Sequence, residues 1–265
     1  MADHNHYPDT DARHRTDKAQ AVIDNAGRHA DEDVDRVVDS SRSGGQISGF
    51  PTVQAAVAVV LALWLAVVVL LGANGAFVRP PGTPPYPIAI GVTAPLIVFL
   101  AAFWLSAAFR RFVTDADPTL LTAIQAWRWA GFAFIGLYAY GVLPGRFAWP
   151  AGLGDMAIGL TAPWIVLALV RRPSFAASRL FVIWNLLGML DHVVGVTDAA
   201  LVQTHATGAV GEVTVAPMAE LPLLLIPAFL VPLFFMLHLA ALIQARRVAR
   251  TERGRGTAPL RSVTA

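Results

Sequence analysis

The sequence predicts an all-α membrane protein, a bundle of six transmembrane helices. Hydrophobic residues make up 55% of the chain and charged residues only 14%, whereas about 25% of residues are charged in soluble domains. Six apolar segments are each about 18 residues or longer, which is enough to cross a hydrocarbon core about 30 Å thick. The basic residues also concentrate on one side of these segments, as the positive-inside rule requires of a multi-pass protein.

Residues 1–50 differ in composition from the rest of the chain. Ten of the 18 acidic residues lie before residue 40, and a run rich in Gly and Ser at 40–51 is typical of a linker. No basic stretch is followed by an apolar core, so a secretory signal peptide is not predicted. We predict a disordered acidic cytoplasmic tail over 1–50. The basic residues behind the pI of about 9.4 lie at membrane edges, which does not favour a nucleic-acid partner.

A transmembrane domain is predicted over residues 51–245, followed by a basic cytoplasmic tail over 246–265. The Arg-rich loops at 110–111 and 171–179 lie on the same side as this tail, and the opposite loops hold only Arg79 and Arg146. Both termini are therefore predicted to be cytoplasmic. Nineteen of the 20 basic residues are Arg, which suggests a bacterial genome and hence a bacterial cell membrane. The predicted segments are Thr52–Gly72, Tyr86–Phe109, Leu120–Leu143, Gly152–Val170, Leu180–Thr197 and Leu221–Ile243.

Two of the apolar segments share a short sequence. Gly91–Val98 reads GVTAPLIV and Gly159–Val166 reads GLTAPWIV, which agree at six of eight positions. Two interpretations stay open: three parallel repeats of a helical hairpin, or coincidence within apolar sequence. In each copy the proline frees the carbonyl four residues earlier, that of Gly91 or Gly159. We expect the hydroxyl of Thr93 or Thr161 to help satisfy that carbonyl.

The last apolar segment contains two internal prolines, Pro227 and Pro232. Each removes a backbone donor, so this helix is expected to be bent. Mobility of the bend as a gate is one interpretation, and a static bend is the other.

Ionisable residues within apolar segments are the candidates for a functional site, because they are costly in a bilayer. Arg128 lies about 12 Å and Asp191 about 17 Å from the cytoplasmic side. We predict that these two side chains pair, with Asp155 as the alternative partner of Arg128. The pair either fixes helix register or lines a path for protons or solutes. The predicted polar centre comprises Arg128, Asp155, Asn185, Asp191 and His192, with Gln125 and His238 as secondary members.

The membrane histidines raise the possibility of a haem. His192 and His238 lie about 18 Å and 8 Å from the cytoplasmic side, so their depths are expected to differ by about 10 Å. A single iron could not bind both, so we predict no cofactor, and neutral histidines that hydrogen-bond to a neighbouring helix. No metal site is predicted in the membrane. After loss of Met1, the amine and His4 would form a short copper or nickel motif, which arises easily by chance.

Three stretches resemble a group of uncharacterised bacterial multi-pass membrane proteins of unknown function. They read LPGRFAWPAGLGDMAIGLTAP from Leu143, WNLLGMLD from Trp184 and IPAFLVPLFFMLHL from Ile226. The resemblance covers the third to sixth segments and omits the tail. It implies a shared membrane fold, and it brings neither an activity nor site residues.

The chain lacks the motifs of several enzyme classes. It has no Cys, which excludes disulfides, Cys-ligated zinc and thiol catalysis, and no phosphate-binding Gly-rich loop, HExxH or GxSxG, so catalysis is not favoured. The leading interpretation is a small-solute or proton-linked transporter or channel-like bundle in the lipid bilayer. The alternative is a non-transporting accessory or structural membrane protein, and the third is a membrane redox or haem protein. The sequence leaves the substrate, the coupling ion and a homo-oligomeric state undetermined.

Overall fold

The structure, a computed structural model, describes the backbone of residues 49–256 and the side chains of residues 52–253. The His4 motif lies outside the described residues. So does the predicted tail over 1–50, except for its last two residues. The chain divides between Thr52 and Val53, and the contacts described below lie within the unit that begins at Val53.

Between residues 49 and 256 the chain is helical and contains no strand. Short 3₁₀ turns and one π-helical turn interrupt or connect the α-helices. The α-helices are α1 (Gly49–Ala73), α2 (Tyr86–Leu105), α3 (Ala107–Asp115), α4 (Pro118–Ile124), α5 (Phe132–Ala139), α6 (Gly145–Arg171), α7 (Arg179–His205) and α8 (Val231–Gly256).

Six helical segments of the described chain are long and apolar enough to cross a membrane, which confirms the predicted fold class. Several spans extend beyond their predicted ends. The apolar run predicts the span, but the helix continues into the polar residues that follow this run. The fourth span begins at Gly145 and the fifth ends at His205. The spans are Thr52–Ala73, Tyr86–Leu105, Pro118–Ala139, Gly145–Arg171, Arg179–His205 and Ile226–Arg253.

The second span ends earlier than predicted, at Leu105 and not at Phe109. Ser106 adopts an extended backbone, and its hydroxyl accepts a hydrogen bond from the Phe109 N–H at 3.2 Å. A serine in this position caps the start of a helix, and α3 begins there as a separate short helix. Its Arg110 is exposed and its Val113 is buried, so α3 is amphipathic.

The third span is not one continuous α-helix. It consists of α4, a 3₁₀ segment over Gln125–Gly131, and α5. The sequence predicts an uninterrupted helix here, since neither proline nor glycine precedes Gly131 within the 3₁₀ segment. Such a tightened stretch inside a helix often marks a hinge or a functional site. Arg128 lies in the middle of it.

The sixth span begins with a π-helical turn over Ile226–Leu230, and its α-helix starts only at Val231. Of the two prolines that predict an irregular helix, Pro227 lies in this turn and Pro232 in the first turn of α8. π-turns often occur at functional sites, and this one faces the polar centre described below.

The two TAP sequences form the same local hydrogen bond. Thr93 Oγ1 donates to the Ala89 carbonyl at 2.8 Å, and Thr161 Oγ1 donates to the Ala157 carbonyl at 2.6 Å. The expectation that these hydroxyls satisfy Gly91 and Gly159 is wrong, because a helical threonine reaches the carbonyl four residues before itself. The hairpin repeat stays a prediction.

The spans contribute unequally to the core. Only 6% of the residues in the apolar windows of the first and second spans are buried, compared with 28–39% in the other four. Most of the packed core therefore belongs to the third to sixth spans, and these four carry every predicted residue of the polar centre.

A buried ionic centre as the candidate functional site

Arg128 lies at the centre of the bundle with only 2% of its surface exposed. Its Nε donates to Asp155 Oδ1 at 2.7 Å, and its Nη2 donates to Asp191 Oδ2 in a short ion pair. The predicted pairing with Asp191 is confirmed. Asp155, predicted as the alternative partner, binds the same guanidinium at the same time, so the third, fourth and fifth spans meet at one side chain.

The remaining guanidinium nitrogen connects the sixth span to this centre. Arg128 Nη1 lies 3.0 Å from His238 Nε2, and His238 Nδ1 lies 2.9 Å from Asn185 Oδ1. A guanidinium can only donate, so Nε2 accepts and the ring proton lies on Nδ1, which donates to Asn185. His238 is therefore held neutral by hydrogen bonds to neighbouring spans. We refer to Arg128, Asp155, Asp191, His192 and His238 as the ionic centre.

His192 contacts the same guanidinium but is less completely satisfied. Its Nδ1 lies 3.4 Å from Arg128 Nη2 and 3.9 Å from Asp191 Oδ2. By the same reasoning Nδ1 accepts and Nε2 carries the proton. Nε2 is buried and has no hydrogen-bond partner among the described residues. A buried donor without an acceptor is costly, at about 1–3 kcal/mol.

The expected difference in depth between the two histidines is wrong. The ring centroids of His192 and His238 lie 6.3 Å apart. The apolar run that predicts the sixth span ends at Ile243, whereas the span itself continues to Arg253, so His238 lies deeper than the apolar pattern indicates. Both rings contact the Arg128 guanidinium, and His238 Nε2 already accepts from it. This arrangement does not match a pair of axial haem ligands.

Gln125 is buried but does not join the ionic centre. Its Nε2 donates to the Phe234 carbonyl at 3.2 Å, and its Oε1 has no partner among the described residues. It therefore ties the third span to the sixth. Asn185 takes part only through His238, and its own amide nitrogen donates to the Phe181 carbonyl at 2.9 Å.

Two glycines allow the helices to approach at the ionic centre. A Cβ added at Gly154 would overlap Asp191 Oδ1, and one added at Gly188 would overlap His238 Nε2. Neither position could carry a larger residue without displacing a member of the centre. Both glycines are visible in the sequence, but nothing there indicates which side chain lies against them.

The ionic centre has one more carboxylate than it has guanidinium groups. With neutral histidines, one arginine and two aspartates leave a formal charge of one negative unit when both acids are ionised. Asp155 Oδ2 and Asp191 Oδ1 form no hydrogen bond with any described residue. The two side chains remain 21% and 14% accessible. The free oxygens can therefore take up a proton or bind a cation.

Two cavities meet at this centre. The first has a volume of about 100 Å³ and includes Asp155, Asp191 and His192 in its walls; the second has about 120 Å³ and includes Arg128, Asp155 and His192. Asp155 and His192 border both. Three apolar residues from the third and sixth spans also line both cavities and so lie along the partition between them: Phe134, Ile226 and Val231.

The first cavity reaches residues that the sequence does not identify. Its walls include Val215 and Met218, which are buried although they lie in the loop between the fifth and sixth spans. It also touches Arg79, in the loop after the first span. The cavity therefore lies toward the side predicted to be outside. No local pattern distinguishes these loop residues, because their burial depends on the spans they pack against.

Asp155, Asp191 and His192 also offer ligand atoms that lie within 4.8 Å of one another, a spacing compatible with a metal ion. The Arg128 guanidinium binds the same two carboxylates and lies beside the third group. Its positive charge opposes a divalent ion at short range. These ligand atoms therefore suit a proton or a monovalent cation better than a divalent metal ion.

Comparison with known proteins gives a family but no activity. The family model described as Domain of unknown function (DUF8737) matches residues 85–246, which covers the second to fifth spans, most of the sixth and the whole ionic centre. No curated protein and no solved structure matches the chain.

Proposed function

The chain belongs to this family of unknown function, and from the ionic centre we propose that it is a proton-linked transporter of a small solute. We place it in a bacterial cell membrane with both termini in the cytoplasm, as the distribution of arginine favours. The observation that carries the proposal is the unequal charge: two carboxylates share one guanidinium inside the bundle, beside two cavities.

The excess carboxylate gives this centre a reason to exchange protons. A carboxylate at the middle of a membrane helix costs about 2.5–3.5 kcal/mol on insertion scales, and one guanidinium compensates only one of the two. A proton taken up from a cavity neutralises the second. When that proton leaves, the centre favours another cation, which is the coupling that a proton-linked transporter needs.

Arg128 is arranged to remain paired throughout such a cycle. It binds Asp155 and Asp191 through different nitrogens, so protonation of one aspartate leaves the ion pair with the other intact. Because Asp155 borders both cavities, a proton on its free oxygen can be exchanged from either. The π-turn at Ile226–Leu230 contributes to the partition between them and is the element whose movement would open one cavity or the other.

Proton flux into liposomes tests the proposal. Purified protein is reconstituted with a pH-sensitive dye inside, and proton entry is driven by a potassium diffusion potential. We expect wild-type flux above that of empty liposomes, and flux at the empty-liposome level for Asp191→Asn and Asp155→Asn. Each variant removes the excess charge and leaves a balanced pair around Arg128. Monodisperse elution in detergent shows that a variant is folded.

The matched control is Asp198→Asn. It makes the same chemical change on the same helix, but Asp198 faces exposed Arg146 at 3.5 Å and lies outside the ionic centre. It should keep wild-type flux. Wild-type flux in Asp191→Asn, or no flux in the wild type, would refute proton-linked transport.

A second candidate is a non-transporting accessory membrane protein. The observation in its favour is the low burial of the first two spans, at 6% of their apolar windows. Helices with so little internal contact offer a surface to a partner or to a second copy of the chain. For this candidate, Asp191→Asn would change stability while neither protein showed flux.

A further inference from the structure

We propose that the first cavity binds a small amino alcohol, whose ammonium group replaces the exchanged proton at Asp155 and Asp191 and whose oxygen accepts from His192. This assignment names the solute of the proposed transporter and rests on that function. Three features of the cavity support it: its charge, its unpaired donor and its apolar walls.

The charge selects a monovalent cation. The free oxygens of Asp155 and Asp191 are acceptors without partners among the described residues, and the two side chains line the first cavity. An ammonium group brings one positive charge and up to three N–H donors. It therefore cancels the single negative charge in excess. A carboxylate beside Asp155 and Asp191 would raise that excess to two, which excludes an acid at this end of the cavity; Arg79 lines the loop end.

The unpaired donor selects an oxygen on the same molecule. His192 is buried, with 5% of its surface exposed, and its Nε2 has no partner among the described residues. Since Nδ1 faces the Arg128 donor, Nε2 carries the hydrogen and requires an acceptor. A hydroxyl next to the ammonium provides this acceptor, because His192 lines the same cavity as the two carboxylates.

The walls select a short hydrocarbon body. Apart from these polar groups and a few near the loop end, the cavity is lined by apolar side chains from the second to sixth spans, including Ile88, Phe134, Ala151, Val196 and Val231. Its volume is about 100 Å³, somewhat less than the roughly 150 Å³ cavity that holds benzene. A molecule of about four to six non-hydrogen atoms fits this space.

Amine and proton compete for the same place. The ionisable groups that face it from the third to sixth spans are Arg128, Asp155, Asp191, His192 and His238, and Arg79 lines the same cavity from the loop after the first span. When the ammonium binds, the proton held by one carboxylate leaves to bulk water and the charge of the centre is again balanced. Affinity should therefore fall as the pH is lowered, by up to about tenfold per pH unit where the proton occupies the site.

Isothermal titration of the whole protein in lipid nanodiscs tests the assignment with three molecules of equal size. 2-Amino-1-butanol carries both groups, 1,2-butanediol replaces the ammonium with a hydroxyl, and 3-aminopentane replaces the hydroxyl with a methyl. We expect 2-amino-1-butanol to bind at least tenfold more tightly than either analogue. Its heat should differ between buffers of unlike ionisation enthalpy, because about one proton is released. Empty nanodiscs give the background.

Two variants connect this binding to the cavity. Asp155→Asn removes the excess charge and should abolish the preference for the amine. Ala199 lines the cavity and is not a member of the ionic centre, so Ala199→Leu fills the space for the solute and should weaken binding at least tenfold. Asp198→Asn should bind as the wild type does.

Three results would overturn the assignment: equal binding of all three molecules, equal binding of 3-aminopentane and 2-amino-1-butanol, or no binding by folded protein. Titration uses no gradient, so it is independent of transport. Proton flux that depends on Asp191, without amine binding, would leave the proposed function standing and remove only this solute. Amine binding without flux would support the site and refute proton-linked transport.

Discussion

Replacement of Gly188 by Ala tests how closely the fifth and sixth spans approach at the ionic centre. The added methyl would occupy the space of His238 Nε2 and Cε1, and it would lie 3.1 Å from Cδ2. His238 is fully buried, so the ring cannot turn away into a solvent-filled space. The ring or the two helix backbones must shift.

The expected loss of stability can be assembled from the contacts affected. Overpacking a filled site costs about 1–3 kcal/mol. Displacing the ring weakens its bond to Asn185, worth about 1 kcal/mol, and its charge-assisted bond to Arg128, worth about 1.5–3 kcal/mol. Alanine recovers about 1 kcal/mol of helix propensity relative to glycine. We therefore expect Gly188→Ala to lower the free energy of unfolding by about 2.5–6 kcal/mol.

Gly195→Ala provides the matched control, seven residues further along α7. A Cβ there meets nothing within 4 Å, so only the propensity gain of up to about 1 kcal/mol applies. Reversible unfolding of both variants in mixed micelles, measured by circular dichroism, compares them directly. If Gly188→Ala is as stable as Gly195→Ala, the close approach of His238 to α7 is refuted.

Two further changes probe the centre and a loop. Arg128→Gln should cost about 3–5 kcal/mol, because it leaves two carboxylates facing each other, whereas Arg146→Gln, at an exposed pair, should cost little. Unfolding in micelles measures both, and equal costs would contradict a central role for Arg128. In the loop after α7, hydrogen bonds from the Thr207 N–H, the Thr207 hydroxyl and the Gly208 N–H hold the pKa of Glu212 below its usual value. A lowered pKa contributes order that is present above the ordinary pKa and is lost as the pH falls through the lowered one. In hydrogen exchange, the Thr207 and Gly208 amides of the wild type should therefore lose protection only at acid pH, whereas in Glu212→Gln they should lack protection at every pH. Glu220→Gln is the control. Unchanged protection in Glu212→Gln would contradict the dependence of this loop on the Glu212 carboxylate.

The spans were predictable because the signal for a span is local. An apolar run of sufficient length marks a membrane helix wherever the rest of the chain lies, and the six runs appear where expected. Interruptions of those spans were less predictable. The prolines predict the irregular start of the sixth span, but no local pattern predicts the 3₁₀ segment over Gln125–Gly131. This segment packs closely against α6, and its conformation depends on that contact.

The relative depths of Arg128 and Asp191 could be predicted from the sequence, but the arrangement of the ionic centre around Arg128 could not. Depth along each helix can be counted from the sequence, and this placed Arg128 and Asp191 at compatible levels. Counting gives no information on rotation about the helix axis, nor on how many partners one guanidinium will serve. The sequence therefore offered Asp155 and Asp191 as alternatives, and the structure shows both bound at once. The same counting misplaced His238, because the true end of the sixth span lies beyond the apolar run.

The unequal charge separates a structural role of this centre from a functional one. To fix helix register, one carboxylate per arginine is enough, and a second adds only the cost of another ion to be compensated. In such a bundle either Asn variant would keep Arg128 paired and would alter only stability. A site that exchanges protons or binds a cation, by contrast, requires the surplus carboxylate. Asp155→Asn should therefore remain folded, with Arg128 still bound to Asp191, while it loses proton flux and the preference for amines. That separation of stability from function is what a merely structural ion pair could not produce.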